Sequence, residues 1–214
     1  MLTAKFRITF TEECLGTASA NPELYKDFIQ SKRPEGVAAD ETAALPPVEE
    51  ELQKAMTVFS RDDAGNPMLW NYQLKGFFKD ACGSLSRVGK VKKEKGKAKD
   101  APEAANASAG TTAYKKIVDG LIFVKPRKIT LHLPTGGKIG ICERPLRAQT
   151  AQGERIALAR SETVPAGTWF ECAVTLLDER HEELLEEWMQ YGALRGLGQW
   201  RNSGKGSFTF ERMK

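Results

Sequence analysis

Histidine and cysteine are scarce in this chain, and neither is clustered. Its 214 residues include two histidines and four cysteines, and no two cysteines form a CxxC pair. Zinc ribbons and dithiol redox motifs need such residues at close, regular spacing, so the sequence supports neither kind of site. We therefore expect no metal and no cofactor. Scattered thiols are typical of the reducing cytoplasm, where we expect this protein to reside.

Long apolar runs are also missing. No segment approaches the roughly 20 apolar residues that cross a bilayer. The first ten residues, MLTAKFRITF, alternate polar and apolar side chains instead of placing an apolar run after a basic one. The sequence therefore predicts no membrane partner.

Neither sign of charge is in large excess. The chain has 32 Lys and Arg against 28 Asp and Glu, a net charge of +4. Any argument for a polyanionic partner therefore depends on where the charges lie. Hydrophobic residues make up 41% of the chain, which is the composition of a globular protein. At this length we expect one domain spanning residues 1–214.

Apolar periodicity predicts the main elements. Residues 3–10 alternate as in a half-buried strand, and residues 168–177 are apolar enough to predict a central strand covered on both faces. Residues 71–88 and 179–191 repeat apolar side chains every three or four positions, as amphipathic helices do. Asn71 and Asp178 are suited to cap these two helices.

Weaker patterns complete the order of elements. They predict helices at 22–32 and 48–59, a hairpin at 59–70, strands at 120–124 and 128–133, and a last strand at 208–210. The basic stretch that contains Arg144, Arg147, Arg155 and Arg160 predicts a long hairpin or loop. Together the elements follow a βαββαβ order interrupted by insertions. The predicted fold is α+β, a modified ferredoxin-like (RRM-like) plait.

Two segments read as insertions into this domain. Residues 33–48 are rich in Ala, Pro and acids and predict a surface loop. Residues 89–115 include six lysines between positions 90 and 99, followed by an Ala, Asn, Ser and Gly tract, and we expect no packed core in 89–112. The lysines fit a solubilising loop and a basic arm that closes over a polyanion equally well.

A glycine-rich segment follows the last helix. It reads Gly196-Leu197-Gly198-Gln199-Trp200-Arg201-Asn202-Ser203-Gly204-Lys205-Gly206. Glycines allow positive φ and close approach of the backbone, so their N–H groups can face a phosphate. Arg201 and Lys205 add positive charge beside these donors, and Trp200 offers a ring on which a base can stack.

This segment resembles the glycine-rich signature of the RAMP superfamily, the repeat-associated mysterious proteins of CRISPR systems. Three further stretches resemble the same family, namely the first strand leading to Leu15-Gly16, the helix that opens with Gln73-Leu74-Lys75-Gly76, and Val164–Phe170 before the central strand. The resemblance implies an RNA-binding subunit whose Leu-Lys-Gly helix lies against RNA. It also implies that the lysine-rich insertion occupies the place of the family's thumb.

The expected function is non-catalytic binding of single-stranded RNA of the CRISPR-guide type, as a backbone-like subunit. The expected partners are this RNA and copies of the chain itself or other CRISPR effector subunits. Contacts are expected from basic side chains and from the glycine-rich segment. The candidate residues are Lys75, Lys79, Arg87, Lys90, Lys92, Lys93, Lys95, Arg144, Arg147, Arg195, Gly196, Gly198, Gln199, Trp200, Arg201, Asn202, Gly204, Lys205 and Gly206.

No residue pattern indicates catalysis. The two histidines, His132 and His181, fall in a late strand and on a helix surface, whereas family ribonucleases often use a histidine near the start of the chain. Asp27 and Asp40 are conceivable metal-assisted groups without further support. The four glutamates at 182–187 read as a solvated helix face. Three alternatives stay open: an endoribonuclease, a single-stranded DNA-binding protein, and a phage-borne decoy of CRISPR immunity.

Overall fold

A computed structural model describes residues 1–20, 56–88, 106–150 and 153–213. Within these ranges the fold is mixed, with three α-helices and several sheets, so the predicted α+β class is confirmed. The helices are α1 (Asn71–Leu85), α2 (Tyr114–Leu121) and α3 (Glu182–Arg195). The strands are β1 (Leu2–Phe10), β2 (Cys14–Leu15), β3 (Ala18–Ser19), β4 (Thr57–Val58), β5 (Ser60–Arg61), β6 (Pro67–Trp70), β7 (Ile122–Lys125), β8 (Lys128–Thr130), β9 (Gly140–Thr150), β10 (Gly153–Val164), β11 (Trp169–Leu176) and β12 (Phe208–Met213).

A four-stranded antiparallel sheet forms the centre of the molecule. Its strand order is β12-β1-β11-β7. Strand β1 pairs with β11 from Leu2 opposite Leu176 to Thr9 opposite Trp169, and with β12 along its other edge. Because side chains alternate across a strand, Phe6, Ile8 and the other even-numbered residues of β1 share one buried face.

The helices cover that buried face. Leu74 and Phe78 of α1 and Trp188 of α3 belong to one core cluster with the inward residues of β1 and β11. Phe78 and Trp188 lie with ring centroids 5.6 Å apart, so the two long helices also pack against each other. The amphipathic spacing that predicted both helices therefore corresponds to real burial. In the described ranges, no helix is long and apolar enough to cross a membrane.

The expectation for residues 168–177 was partly wrong. Strand β11 is central, since β1 and β7 flank it, but only one of its faces is fully buried. Cys172 and Val174 point into the core, whereas Glu171 is exposed and Ala173 is half-buried. On the outward face Trp169 is only half-buried and Leu177 is exposed, so the apolar appearance of this stretch did not mean a second covering layer.

Both predicted helix caps differ from the observed ones. Helix α1 starts at Asn71, whose side chain donates instead to the Val124 carbonyl at 3.0 Å, while the Gln73 side chain accepts from the Trp70 N–H at 2.7 Å. Asp178 accepts from the Arg180 N–H and so caps a short 3-10 turn before α3. The Asn71 side chain thus makes a tertiary contact instead of capping α1. The Asp178 side chain caps the short turn that precedes α3 instead of α3 itself.

The hairpin predicted at 59–70 is confirmed by the antiparallel pairing of β5 with β6 around a turn at Asp62–Asn66. The helix predicted at 48–59 is wrong at its end, because β4 is a strand paired with β3 and β10. Its first part, at 48–55, lies outside the described residues. So do the helix predicted at 22–32 and the loop predicted at 33–48.

Strands β9 and β10 form the long hairpin that was one of the two predicted possibilities for the basic stretch. Strands β9 and β10 pair over their whole length, from Gly140 opposite Thr163 to Thr150 opposite Gly153. Strand β10 also pairs with β2 and β4, so the base of the hairpin is fixed beside the start of the chain.

The lysine-rich insertion is packed at its end, contrary to expectation. Residues 89–105 lie outside the described ranges, but Ala107–Gly110 form a 3-10 turn against α3. The Ser108 hydroxyl is fully buried; it donates to the Glu187 carboxylate at 2.5 Å and accepts from the Trp188 indole N–H at 3.0 Å. Glu187 is therefore a structural acceptor and not the solvated charge that its sequence position suggested.

Candidate nucleic-acid interface

The glycine-rich segment connects α3 to β12 and is folded tightly on itself. Gly196, Gly198, Gly204 and Gly206 all have positive φ. A Cβ atom at Gly206 would overlap the Leu197 carbonyl, and one at Gly196 would lie 2.6 Å from the Gly206 carbonyl carbon. At these two positions glycine is required by the packing of the segment itself.

The two cations of this segment and Arg195, the last residue of α3, are paired with carboxylates. Arg195 Nε and Arg201 Nη1 donate to the same oxygen of Asp80 on α1, at 3.0 and 2.8 Å. Lys205 forms an ion pair with Glu13, and this hydrogen bond raises the pKa of the lysine. These contacts hold the segment against α1 and against the connection after β1. Two guanidinium groups on one carboxylate leave a net positive charge there.

Trp200 projects from the segment beside the β9–β10 hairpin. Its side chain is 41% exposed, and its backbone has φ of 53°, a left-handed conformation that is uncommon for a bulky residue. The Arg144 guanidinium lies 5.2 Å from the ring centroid of Trp200, within cation–π distance. The segment thus presents an aromatic surface and a cation together.

Arg144 is only partly satisfied. Its Nη2 donates to the Gln199 side chain at 3.0 Å, and Gln199 in turn donates to the Gly16 carbonyl. Arg144 Nε and Nη1 are shielded from solvent and have no acceptor among the described residues. The backbone N–H groups of Gly198 and Trp200 likewise donate to no acceptor in those ranges. Two unused Arg144 donors therefore lie beside one exposed ring.

A groove of about 430 Å³ runs from this segment to the start of α1. Gln73 and Gly76 of the Gln-Leu-Lys-Gly motif line one side, and Gly198 and Arg201 line the other. Tyr72, also in the lining, is 45% exposed and stacks on Trp70 at a centroid distance of 6.3 Å. Two motifs that are far apart in the sequence thus form one concave surface.

Not all predicted residues lie at this surface. Lys75 donates to the Asp119 carbonyl at 3.1 Å and Lys79 pairs with the Asp119 carboxylate at 2.6 Å, so both face α2. Because each residue of a helix advances by 100°, Lys75 lies roughly 140° and Lys79 roughly 100° around the α1 axis from Asp80. Burial lowers the pKa of Lys75. Arg87 is exposed just beyond the end of α1.

The remaining candidates divide into three groups. Lys90, Lys92, Lys93 and Lys95 lie outside the described residues. Arg147 lies on β9, opposite Ile156 of β10. Asn202 accepts from Arg195 Nη1 at 2.7 Å and so supports the segment from inside.

Sequence reasoning missed several residues of the site. Asp80 and Glu13, which hold the cations, and Tyr72, which lines the groove, were not among the candidates. Asp80 gave no signal, because its partners are more than a hundred positions away. Tyr72 did give a signal in the sequence. It is an aromatic residue directly before a motif that is expected to contact RNA, and aromatic rings at such positions can stack on bases.

Comparisons with known proteins find likeness among solved structures alone. No protein-family model matches the chain, and no curated protein matches its sequence. The chain is similar to a chain of the Type III-B Cmr-beta complex bound to cognate target RNA, at 11% identity, TM-score 0.47 and 99% coverage of this chain. It spans only 58% of that relative.

Two further structures are similar over nearly the whole chain. A chain of a Type IV-B CRISPR complex is 10% identical, with TM-score 0.48, 99% coverage of this chain and 90% of the other. Cmr6 from Pyrococcus furiosus is 13% identical, with TM-score 0.49 and 97% coverage of both chains.

Proposed function

We propose that this chain binds single-stranded RNA without cutting it, as a backbone-like subunit of a CRISPR ribonucleoprotein. The observation that carries the proposal is the Arg144 guanidinium lying against the exposed Trp200 ring, on a glycine-rich segment whose Gly198 and Arg201 also line the groove. Stacking surface, cation and unused N–H donors are the three kinds of contact that a single strand uses.

The state of Arg144 favours a phosphate ligand. A guanidinium whose donors are shielded from water and lack acceptors is costly, because each unmade hydrogen bond of a buried charged group loses about 1–3 kcal/mol or more. A phosphate matches the planar fork of donors with two oxygens. Arg144 already lies against the Trp200 ring, so one nucleotide would meet both side chains.

The backbone of Trp200 supports the same proposal. A bulky residue held at positive φ costs about 1–3 kcal/mol, and such conformations cluster at binding sites. Nothing in the core requires this strain, since the side chain is largely outside it. The strained backbone places the ring beside Arg144, where a base can stack.

The proposed architecture is the modified ferredoxin-like plait. It is supported by the strand order β12-β1-β11-β7 and by the position of α1 between β1 and β7 and of α3 between β11 and β12. In that arrangement the glycine-rich segment is the connection from the second helix to the last strand. The segment and the first turn of α1 are then neighbours, as the groove requires.

Arg144→Gln is expected to weaken RNA binding and to lower its salt dependence. Removing one phosphate contact from a single-strand complex reduces the slope of log affinity against log salt by about 0.7. Affinity measured by fluorescence anisotropy at several salt concentrations gives the slope. Arg180→Gln is the matched control, because Arg180 is exposed and pairs with its neighbour Asp178 on the opposite, acidic region around α3. Equal slopes for both variants would remove Arg144 from the interface.

Replacing the six lysines at 90–99 by glutamine is expected to flatten the salt dependence without changing stability. The change keeps the chain length and leaves the buried Ser108 anchor intact. Each lost phosphate contact should lower the slope by about 0.7. The control is Lys115→Gln with Lys116→Gln, two exposed lysines on α2. A slope and melting temperature that both stay at their wild-type values would assign the tract to solubility.

A further inference from the structure

The face of the central sheet opposite the helices also carries basic and aromatic side chains. Odd-numbered residues of β1 point to it, and Lys5 and Arg7 among them are exposed. Phe123 of β7 lies on the same face and is 42% exposed, because it stands opposite Thr175 in the register of β7 and β11. None of these residues belongs to the groove at the glycine-rich segment.

A cleft of about 800 Å³ lies on this face and wraps over the β7 edge. Its apolar lining comes from Phe123, Ala173 and Met213. Lys5, Lys75 and Lys125 line it as well, and the Lys75 ammonium lies 5.3 Å from the Phe123 ring centroid. The cleft therefore combines a flat apolar floor with several cations.

The charge in the cleft favours an anion. Its only carboxylate within the described residues is Glu171, which accepts two hydrogen bonds from Arg7, at 2.7 and 3.1 Å. That contact offsets the negative charge of Glu171. Lys5, Lys75 and Lys125, together with Arg127, leave the cleft positive. An apolar floor under a positive rim is complementary to a base with flanking phosphates.

The strand register sets the spacing of the two central lysines. Lys5 and Lys125 both stand opposite Ala173, one on each neighbouring strand. Two strand spacings separate them, or about 10 Å. The small Ala173 side chain leaves the space between them open, and Phe123 lies two residues from Lys125 along β7. A base can therefore reach the ring while phosphates on either side meet a lysine.

We propose that this cleft is a second contact surface for single-stranded nucleic acid, with a base stacked on Phe123 and phosphates against Lys5 and Lys125. The proposal rests on the sheet face alone and holds whether or not RNA contacts the glycine-rich segment. It adds a surface on the opposite side of the sheet from the core helices, so one strand or two different strands can contact the same chain.

Photo-cross-linking of the full chain tests the proposal. An RNA oligomer containing 5-iodouridine is irradiated with the protein, and the linked peptides are identified by mass spectrometry. The expected result is a cross-link at Phe123 that persists in Trp200→Ala. Phe123→Ala should weaken binding roughly 5- to 150-fold, equivalent to about 1–3 kcal/mol. Lys5→Gln with Lys125→Gln should lower the salt slope by about 1.4.

Two controls separate binding from folding. Leu177→Ala removes a side chain of similar exposure beyond the end of β11 and should leave binding unchanged. If Phe123→Ala lowers the melting temperature, the proposal is judged by the salt slope of the variant with Lys5→Gln and Lys125→Gln. Wild-type affinity and slope in both the Phe123 and the lysine variants, with no cross-link in 122–127, would overturn the proposal. So would binding of uridine monophosphate in the cleft without binding of the oligomer.

Discussion

Gly206→Ala is expected to lower the melting temperature by roughly 6–12 °C and to weaken RNA binding at the glycine-rich segment. The new Cβ would overlap the Leu197 carbonyl, and φ of 73° is itself unfavourable for alanine. Left-handed strain costs about 1–2 kcal/mol and overpacking about 1–3 kcal/mol. A total near 3 kcal/mol corresponds to that shift for a domain of this size. Binding at this segment weakens because Gly206 accepts from the Leu197 N–H and so holds the segment closed.

Gly204→Ala is the matched control for this prediction. Gly204 has φ of 84°, but a Cβ there would have no atom within 4 Å. The Gly204→Ala variant therefore has only the free-energy cost of alanine at positive φ. Its melting temperature should fall by roughly 2–8 °C. Thermal unfolding followed by circular dichroism compares the two variants. Equal melting temperatures would mean that the close contact between Gly206 and Leu197 does not exist in solution.

Trp200→Ala is expected to reduce affinity for single-stranded RNA roughly 5- to 150-fold without lowering stability. Loss of one stacked base costs about 1–3 kcal/mol. Stability should be kept because the ring is exposed to 41% and its backbone is strained. Trp200→Gly should be at least as stable as Trp200→Ala, since glycine adopts positive φ freely, and should bind equally weakly.

The control for Trp200 is Leu194→Ala. Leu194 lies at the end of α3, two positions before the glycine-rich segment, and is 79% exposed. Its removal should change neither affinity nor melting temperature. Normal RNA binding by Trp200→Ala, together with a much lower melting temperature, would make Trp200 a structural residue and place the binding surface elsewhere.

Local sequence patterns predicted those helices and strands whose buried face follows from their own apolar spacing. Alternation at 3–10 and the three-to-four spacing at 71–88 each correspond to a single buried face, so β1 and α1 followed from the sequence. The prediction failed at Thr57–Val58, because pairing with β3 and β10 overrode a weak helical spacing. Context of this kind is absent from a short window of sequence.

The candidate site was predictable in position but not in detail. Glycine spacing and Trp200 identify the segment from the amino-acid sequence alone. The pairing of Arg195 and Arg201 with Asp80 could not be foreseen, since it depends on how α1 and α3 cross. It changes the chemistry, because two expected phosphate ligands are already bound. Arg144, which came from a stretch predicted only as a hairpin or loop, has two donors without an acceptor among the described residues.

RNA binding is tested most directly by the affinity of the pure protein for a labelled single-stranded RNA. It is measured by fluorescence anisotropy with wild-type protein, Trp200→Ala and Leu194→Ala side by side. We expect saturable binding by the wild type and by Leu194→Ala, with full-length RNA recovered after incubation with magnesium. For Trp200→Ala we expect affinity to fall roughly 5- to 150-fold. Absence of binding by the wild type, equal affinities for all three proteins, or cleavage of the RNA would contradict the proposed function.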